Sequence, residues 1–489
     1  MKKWKKIVIS VVLIIVLLLA AVVGGYSIYV NRKVDSADVS NLKNYENIAL
    51  SATISDNDKN GSSKLTDGKH STGITVHKGD NLYFDFDEPV TCNTILLRET
   101  LNKPGSLAYA LEGGTKQFSI YASLNGEEKL IYRNDKIDTY RLCTFEDTEF
   151  DALRIQFDDC RGSARINEVA FYNVGKTARD DFRINDYFIY EESDYQHNEK
   201  FLAYLDKVTD LTLFIGVGLD ENGQVTFSDG KEDFAEKLAD LRGAIGDRDI
   251  KLYCNVFSND TEGDYFAENS KTIAKNLADF TVEFGLDGVD LDWEYPSGSK
   301  DWDAYNQLAL DLHQELSKVG KKFSFATAVW NMRFSDEAKE AVDYFNIMIY
   351  DHVSDDYNGY HSTFKETTLA IERLYYQGYD MKKICLGMPY YGRNLNHSEC
   401  GNFWVNYCDS GINDRWTNTA SGSFVEGYSE QPAYLNSYAM IRDKTAYAIS
   451  MSLGGIMTWH MMSDAPADSN ICLHNAVEEI CEQRLEKQD

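Results

Sequence analysis

The sequence predicts an α/β fold: a (β/α)8 TIM barrel preceded by an all-β sandwich and a single N-terminal transmembrane helix. Three observations predict it. Over residues 180–485, short apolar runs alternate with helix-like segments, the pattern of parallel strands joined by helices. Over residues 47–173 the runs are short, alternate with period two and are interrupted by no long helical period. At the start, Met1-Lys2-Lys3-Trp4-Lys5-Lys6 precedes an almost unbroken apolar run from Ile7 to Val23.

The apolar run exceeds the core of a typical secretory signal, about 7–15 residues, and approaches the roughly 20 that span a bilayer. It continues through Gly24–Val30 to Asn31-Arg32-Lys33. Residues 1–33 therefore read as a signal anchor. The leading lysines keep that end cytoplasmic and place the rest outside the cell membrane. A cleaved signal and a secreted product is the alternative, because Ala20-Ala21 and Gly24-Gly25 offer small residues. Residues 34–46 are polar and read as a stalk.

In the all-β segment the strand candidates are Leu82–Phe86, Thr94–Leu97, Phe118–Tyr121, Leu153–Phe157 and Val169–Tyr172. The runs Asn47–Thr53, Leu65-Thr66-Asp67-Gly68 and Ile166-Asn167-Glu168-Val169 resemble the discoidin-like (coagulation factor 5/8 type C) family, which includes family 32 carbohydrate-binding modules. The resemblance implies a jelly-roll-like carbohydrate-binding sandwich and a structural calcium ion near Asp67. Read from the residues alone, Asp67-Gly68 is equally a turn. The tryptophan frequent after that turn in the family is absent: the chain reads Ser71-Thr72-Gly73-Ile74.

After a polar link over Val174–Asp181, eight strand candidates follow: Asp186–Tyr190, Leu211–Val217, Ile250–Phe257, Gly288–Tyr295, Lys322–Trp330, Tyr344–Tyr350, Lys383–Pro389 and Gly454–Trp459. Helix-like segments separate them at Lys231–Ala244, Asp264–Phe284, Asp301–Lys318, Ser335–Val342, Phe364–Gln377 and Leu435–Leu453. The first helix, around Asn198–Lys207, is the least distinct. Little room remains between the last two strands for a large inserted domain.

In such a barrel, catalytic residues sit at the C-terminal ends of strands. The fourth strand carries Asp287-Gly288-Val289-Asp290-Leu291-Asp292-Trp293-Glu294 before Pro296, which cannot donate to a ladder. Alternation puts Asp290, Asp292 and Glu294 on one face and Val289, Leu291 and Trp293 on the other. Carboxylates crowded on one face cannot all ionise freely, so at least one pKa rises, as a general acid near neutral pH requires. Asp287 has the opposite parity and reads as a support residue.

The spacing Asp287-x-x-Asp290-x-Asp292-x-Glu294 resembles the signature of family 18 glycoside hydrolases, the chitinase family. The later strand ends Met348-Ile349-Tyr350-Asp351, Gly387-Met388-Pro389-Tyr390-Tyr391-Gly392-Arg393 and Met457-Thr458-Trp459 resemble family segments in the same order. One departure is the third strand, where Tyr253-Cys254-Asn255-Val256-Phe257-Ser258 replaces a Ser-x-Gly-Gly ending.

The resemblance implies retaining, substrate-assisted hydrolysis of β-1,4 linkages at N-acetylglucosamine through an oxazolinium ion. It makes Glu294 the acid and base, and Asp292 the acetamide partner. Asp290 shares a proton with Asp292, while Tyr350, Asp351, Trp459 and Tyr390 bind substrate. Chitin or chito-oligosaccharide is the first substrate expectation. N-glycans, peptidoglycan or a non-catalytic lectin are the alternatives.

The net charge of −29 opposes nucleic-acid binding. The nine cysteines form no CxxC, and no metal-ligating cluster accompanies His460, so neither a catalytic metal nor another required cofactor is expected. Cys254 and Cys385 sit in apolar strands as small core residues. Cys400 and Cys408 share a loop and could pair in an oxidising compartment.

Overall fold

The computed structural model describes residues 36–58, 61–100, 113–190, 199–258, 263–351, 360–395, 403–424 and 430–486. The signal-anchor expectation over residues 1–33 lies outside them. Among the described residues no helix is long and apolar enough to cross a membrane.

Eight parallel strands close into a barrel. In chain order they are Arg183–Ile189, Asp210–Phe214, Lys251–Ser258, Gly288–Trp293, Lys322–Thr327, Tyr344–Ile347, Ile384–Pro389 and Gly455–Trp459. Each pairs with its sequence neighbours, and the eighth pairs with the first. Several strands end before the apolar runs that predicted them. Tyr295, Trp330 and Tyr350 thus fall in the segments just beyond strand ends, where the mouth of the barrel is built. Gly288 starts the fourth strand because a Cβ there would lie 2.2 Å from the Lys322 carbonyl oxygen.

The intervening helices follow the apolar periodicity: Lys231–Ile245, Gly263–Glu283, Ser299–Lys318, Phe364–Tyr376 and Tyr438–Ser450. The helix Phe364–Tyr376 starts at a capping box in which Thr363 and Glu366 satisfy each other's backbone N–H groups. Val289, Leu291 and Trp293 face outward into the helix layer. Trp293 meets Phe266 at 4.8 Å and Tyr305 at 5.2 Å between ring centres. That packing fixes the fourth strand's register, because a slip of one residue would exchange its acidic and apolar faces.

The excursion between the seventh and eighth strands is more ordered than its length suggested. Tyr391–Asn394, Trp404–Asn406, Thr419–Gly422 and Gln431–Tyr434 form a four-stranded antiparallel sheet above the barrel. No large inserted domain was expected there, and these short strands build only a small sheet.

The all-β segment forms one seven-stranded antiparallel sheet. Its two longest strands, Asn81–Glu99 and Arg141–Cys160, pair with register shifts between Asp85 and Val90 and between Cys92 and Thr94. Phe84, Phe118, Phe150 and Phe171 fill its core. This sheet packs directly on the barrel. Leu96, Leu142 and Ala170 join the barrel's core cluster. A buried ion pair also crosses the interface, Arg141 Nη2 donating to Asp443 Oδ2 at 2.9 Å. Tyr132 donates to the same carboxylate at 2.5 Å, and Thr144 donates through both its N–H and its hydroxyl at 2.8 Å.

Part of the segment expected to be a stalk is docked. Ser36 donates to Glu372 Oε1 through its N–H at 3.1 Å and its hydroxyl at 2.7 Å, and Leu42 is buried. Leu42, with Val39 and Tyr45 packed beside the same core, supplies the apolar contact within a mostly polar run. Cys254 and Cys385 are buried in the barrel, and Cys400 of the expected Cys400–Cys408 pair lies outside the described residues.

Candidate active site

The barrel interior is polar around one carboxylate. Asp290 is fully buried and accepts four hydrogen bonds, two at each oxygen. Ser324 Oγ and Asn346 Nδ2 donate to Oδ1 at 2.6 and 2.9 Å, and Tyr187 Oη and Asn255 Nδ2 donate to Oδ2 at 2.5 and 2.9 Å. These donors come from the fifth, sixth, first and third strands. Alternation along each strand turns them inward beside the fourth. Burial pushes the Asp290 carboxyl up, and the four donors oppose that push by favouring the anion.

Asp292 lies two residues nearer the mouth. Burial is the largest reason its carboxyl is held well above the usual range, followed by the charges of Glu294 and Asp290. Its Oδ1 is buried without a hydrogen-bond donor. Asp290 is saturated by donors, whereas Asp292 keeps this oxygen open. An incoming N–H is a group that could satisfy the orphan oxygen.

Glu294 stands just past the strand end and is half-buried. Burial raises its pKa, the Asp351 charge raises it further, and a hydrogen bond from Tyr295 opposes both. Asp351 is the contrast: burial would raise it, but Arg393, donating from Nε at 2.6 Å, holds it below the ordinary carboxylate value. The mouth therefore holds one carboxyl lowered below its ordinary pKa beside two raised above theirs.

The predicted residues are largely brought together. Trp459 packs on Tyr187 at 5.2 Å and on Phe214 at 5.5 Å, at the interior end of the mouth. Tyr350 is buried near Trp459, its hydroxyl 3.7 Å from Met457 Sδ. Asp287 accepts from the Leu252 backbone N–H at 2.9 Å, which ties the fourth strand to the third.

Tyr390 is not brought to the site. It is fully buried in the outer core, its ring 5.4 Å from His474. Parity reverses beyond Pro389, and Tyr391 turns inward instead, 6.1 Å from Tyr350.

Sequence reasoning missed Tyr187, Ser324 and Asn346 as site residues and named Asn255 only as a departure. Each is a polar residue at an inward position of an apolar strand, and that signal becomes readable once strand parity is known. Beside Asn255 a cavity of about 310 Å³ opens, lined by Phe214, Val217, Thr226, Phe227, Ser228 and Phe257. Among the described residues no cluster of His, Cys, Asp or Glu is placed to hold a metal ion.

Comparison with known proteins locates this geometry. The sequence profile of glycosyl hydrolases family 18 matches residues 184–464, from the first barrel strand to just past the eighth. The chain is 26% identical over 248 residues to Chitinase 1 of Aphanocladium album, covering 40% of this chain and 56% of that one. It is 25% identical over 309 residues to sporulation-specific chitinase 2 of Saccharomyces cerevisiae, covering 49% and 59%. It thus spans less than two thirds of the length of either relative. Among solved structures, the GH18 chitinase ChiB from the chitin utilization locus of Flavobacterium johnsoniae superposes with a TM-score of 0.48 at 21% identity, over 62% of this chain and 94% of that one.

Proposed function

Because the chain belongs to glycosyl hydrolases family 18, we propose that its barrel hydrolyses β-1,4 linkages beside N-acetylglucosamine, with chito-oligosaccharide or chitin as substrate and retention at the anomeric carbon. The observation that carries the reading is the row on the fourth strand. Asp290 is buried under four donors, Asp292 has a raised pKa and an orphan oxygen, and Glu294 is a raised acid at the mouth.

In this mechanism Glu294 gives its proton to the glycosidic oxygen as that bond breaks. The substrate's acetamide oxygen bonds to the anomeric carbon and forms the oxazolinium ion. Asp292 accepts the acetamide N–H at Oδ1 and stabilises the cation, while Asp290 shares a proton with Asp292 and tunes both pKa values. Tyr350 donates to the acetamide oxygen, Asp351 contacts the sugar and Trp459 stacks beneath the ring. A water then gives its proton to Glu294 and its oxygen to the anomeric carbon, opening the oxazolinium ring. The cavity beside Asn255 gives the sugar chain room on the Trp459 side.

The same proposal includes the all-β unit as a discoidin-like, carbohydrate-binding module, and tethering through residues 1–33 with the barrel outside the membrane. A calcium ion at the Asp67 loop belongs to the same proposal, with Asp67 and Glu168 as its two carboxylate donors. Asp67 is turned by Thr72, whose hydroxyl donates at 2.8 Å, and Glu168 has a buried oxygen without a partner. Oxygen donors of this kind suit calcium. A melting temperature insensitive to calcium and chelator would remove the ion from the account.

The discriminating experiment assays one labelled chito-oligosaccharide, one N-glycoprotein and one peptidoglycan digest side by side, with Glu294→Gln as control. Turnover of the chito-oligosaccharide, β anomer first by NMR and lost in the variant, is expected. Release from the N-glycoprotein or peptidoglycan alone would reassign the substrate. Immediate α product would exclude substrate assistance, and inactivity on all three with retained binding would identify a lectin.

A further inference from the structure

Lys444, on the helix Tyr438–Ser450, is fully buried, and no step above uses it. Burying an ammonium group is costly unless its donors are paired. Here Nζ donates to Ser362 O at 2.6 Å, to Ser362 Oγ at 2.8 Å and to Asn436 Oδ1 at 2.6 Å. Asn436 Nδ2 donates to the same Ser362 carbonyl at 3.1 Å, and Glu366 is the neighbouring negative charge. The object of this clamp is the backbone at Ser362, which is left-handed with a φ of 52°. Such a conformation is unfavourable for a residue with a side chain and persists where its surroundings impose it.

The clamp orients the preceding residue, His361. Its ring is fully buried and packs 5.5 Å from Tyr391. Nε2 lies 3.2 Å from Tyr434 O, and Nδ1 lies 3.5 Å from the backbone nitrogen of Asp351. A carbonyl only accepts and a backbone N–H only donates, so the ring carries its proton on Nε2 and accepts at Nδ1. Burial lowers the imidazole pKa to about 3, and the ring is neutral near neutral pH. It therefore holds Asp351 by the backbone and leaves the carboxylate to Arg393. Asp351 is itself left-handed, with a φ of 61°. The brace continues to the all-β unit. The rings of Tyr434 and Tyr360 are 4.9 Å apart; the Tyr434 hydroxyl is hydrogen-bonded to Asp135, and Lys136 Nζ stands 3.6 Å over the Tyr360 ring.

We infer that His361 is a positioning residue of the catalytic centre: held by Lys444 through Ser362 and by Tyr434, it fixes the backbone of Asp351 and with it the distance from the Asp351 carboxylate to Glu294. The inference rests on the hydrolase reading above. It makes the all-β unit the outer end of a brace that reaches the mouth of the barrel.

Glu294 is faced by Asp351, Asp292 and Tyr295, and Asp351 by Arg393, Tyr391 and His361. The Asp351 charge raises the Glu294 pKa. The acid must hold its proton, so activity is lost as pH rises through that pKa. Releasing Asp351 lowers it and moves the alkaline limb to lower pH.

The test measures pH–rate profiles on the labelled chito-oligosaccharide for wild type, His361→Phe and His361→Asn. The phenylalanine keeps the ring volume without either nitrogen, and the asparagine places an accepting Oδ1 where Nδ1 stood. In His361→Phe the limb is expected at lower pH with kcat down about tenfold to a hundredfold, and in His361→Asn the limb returns towards wild type. A folded His361→Phe whose limb stays in place, whatever its loss of stability, makes His361 a packing residue and overturns the inference. If His361→Phe does not fold, nitrogen NMR of isotope-labelled histidine in the wild type decides, with the His361 signal assigned through His361→Asn. A proton on Nε2 is expected, and a proton on Nδ1 overturns the hold on Asp351. A wild type inert on the oligosaccharide removes the hydrolase reading itself, and the positioning role with it.

Discussion

Replacing Asp290 by asparagine tests the electrostatic core of the site. The side chain keeps its shape and loses its charge. Along a strand, residues two apart are about 6.6 Å apart. At an effective dielectric of about 20, two unit charges at that distance interact by about 2.5 kcal/mol. Asp292 owes part of its raised pKa to the Asp290 charge, after burial and the Glu294 charge. Its titration should therefore move to lower pH in Asp290→Asn. The amide also presents an NH2 group to two of the four donors, and Asn255 and Asn346 cannot become acceptors without turning over. A stability loss of about 1–3 kcal/mol follows. The carbonyl infrared band of the protonated carboxyl, assigned with Asp292→Asn and followed against pH, reads the shift directly, while urea denaturation reads the stability. An Asp292 band that titrates at the same pH with and without the Asp290 charge would refute the coupling on which the mechanism depends.

Asp351→Asn should move the alkaline limb of the pH–rate profile to lower pH. The acid must carry its proton, activity is lost as pH rises through the pKa of Glu294, and the Asp351 charge is one cause of that raised pKa; a limb that stays in place would detach Asp351 from Glu294. Arg141→Met should cost about 3–5 kcal/mol in urea denaturation, because it leaves Asp443 buried without its cation. Arg141→Met/Asp443→Leu should recover much of that loss, and a double variant as unstable as the single would mean that the pair is not what joins sheet and barrel.

The parts of the fold visible in sequence were those carried by local periodicity. Eight strands in order, the alternation of Asp290, Asp292 and Glu294 against Val289, Leu291 and Trp293, and the support parity of Asp287 all follow from spacing within one segment. The donors to Asp290 were not visible for the opposite reason. Tyr187, Asn255, Ser324 and Asn346 lie 103, 35, 34 and 56 residues away, and only barrel closure turns them to one point. The exchange of Tyr390 for Tyr391 is a parity error at a strand end, where Pro389 interrupts the alternation on which the reading relied. Ser36 and Leu42 were hidden in a polar stretch because the few apolar side chains that dock it, Val39, Leu42 and Tyr45, are spread among polar residues.

The departure at the third strand then acquires a physical meaning. A carboxamide stands at Asn255, with one N–H donating to Asp290 Oδ2 at 2.9 Å and its side chain also hydrogen-bonded to Asp292. A hydroxyl could turn and accept a proton from either acid, whereas the amide nitrogen only donates. Asn255 therefore biases both carboxylates towards the charged form and resists the burial that would neutralise them. Asp292 nevertheless stays raised, because burial and two neighbouring charges outweigh this one bond. The balance is set by how many donors each acid receives. Four donors surround Asp290, while Asp292 keeps an unpartnered oxygen towards the mouth. The asymmetry between two adjacent aspartates on one strand face is what separates a donor-saturated carboxyl from one with an oxygen open towards the mouth.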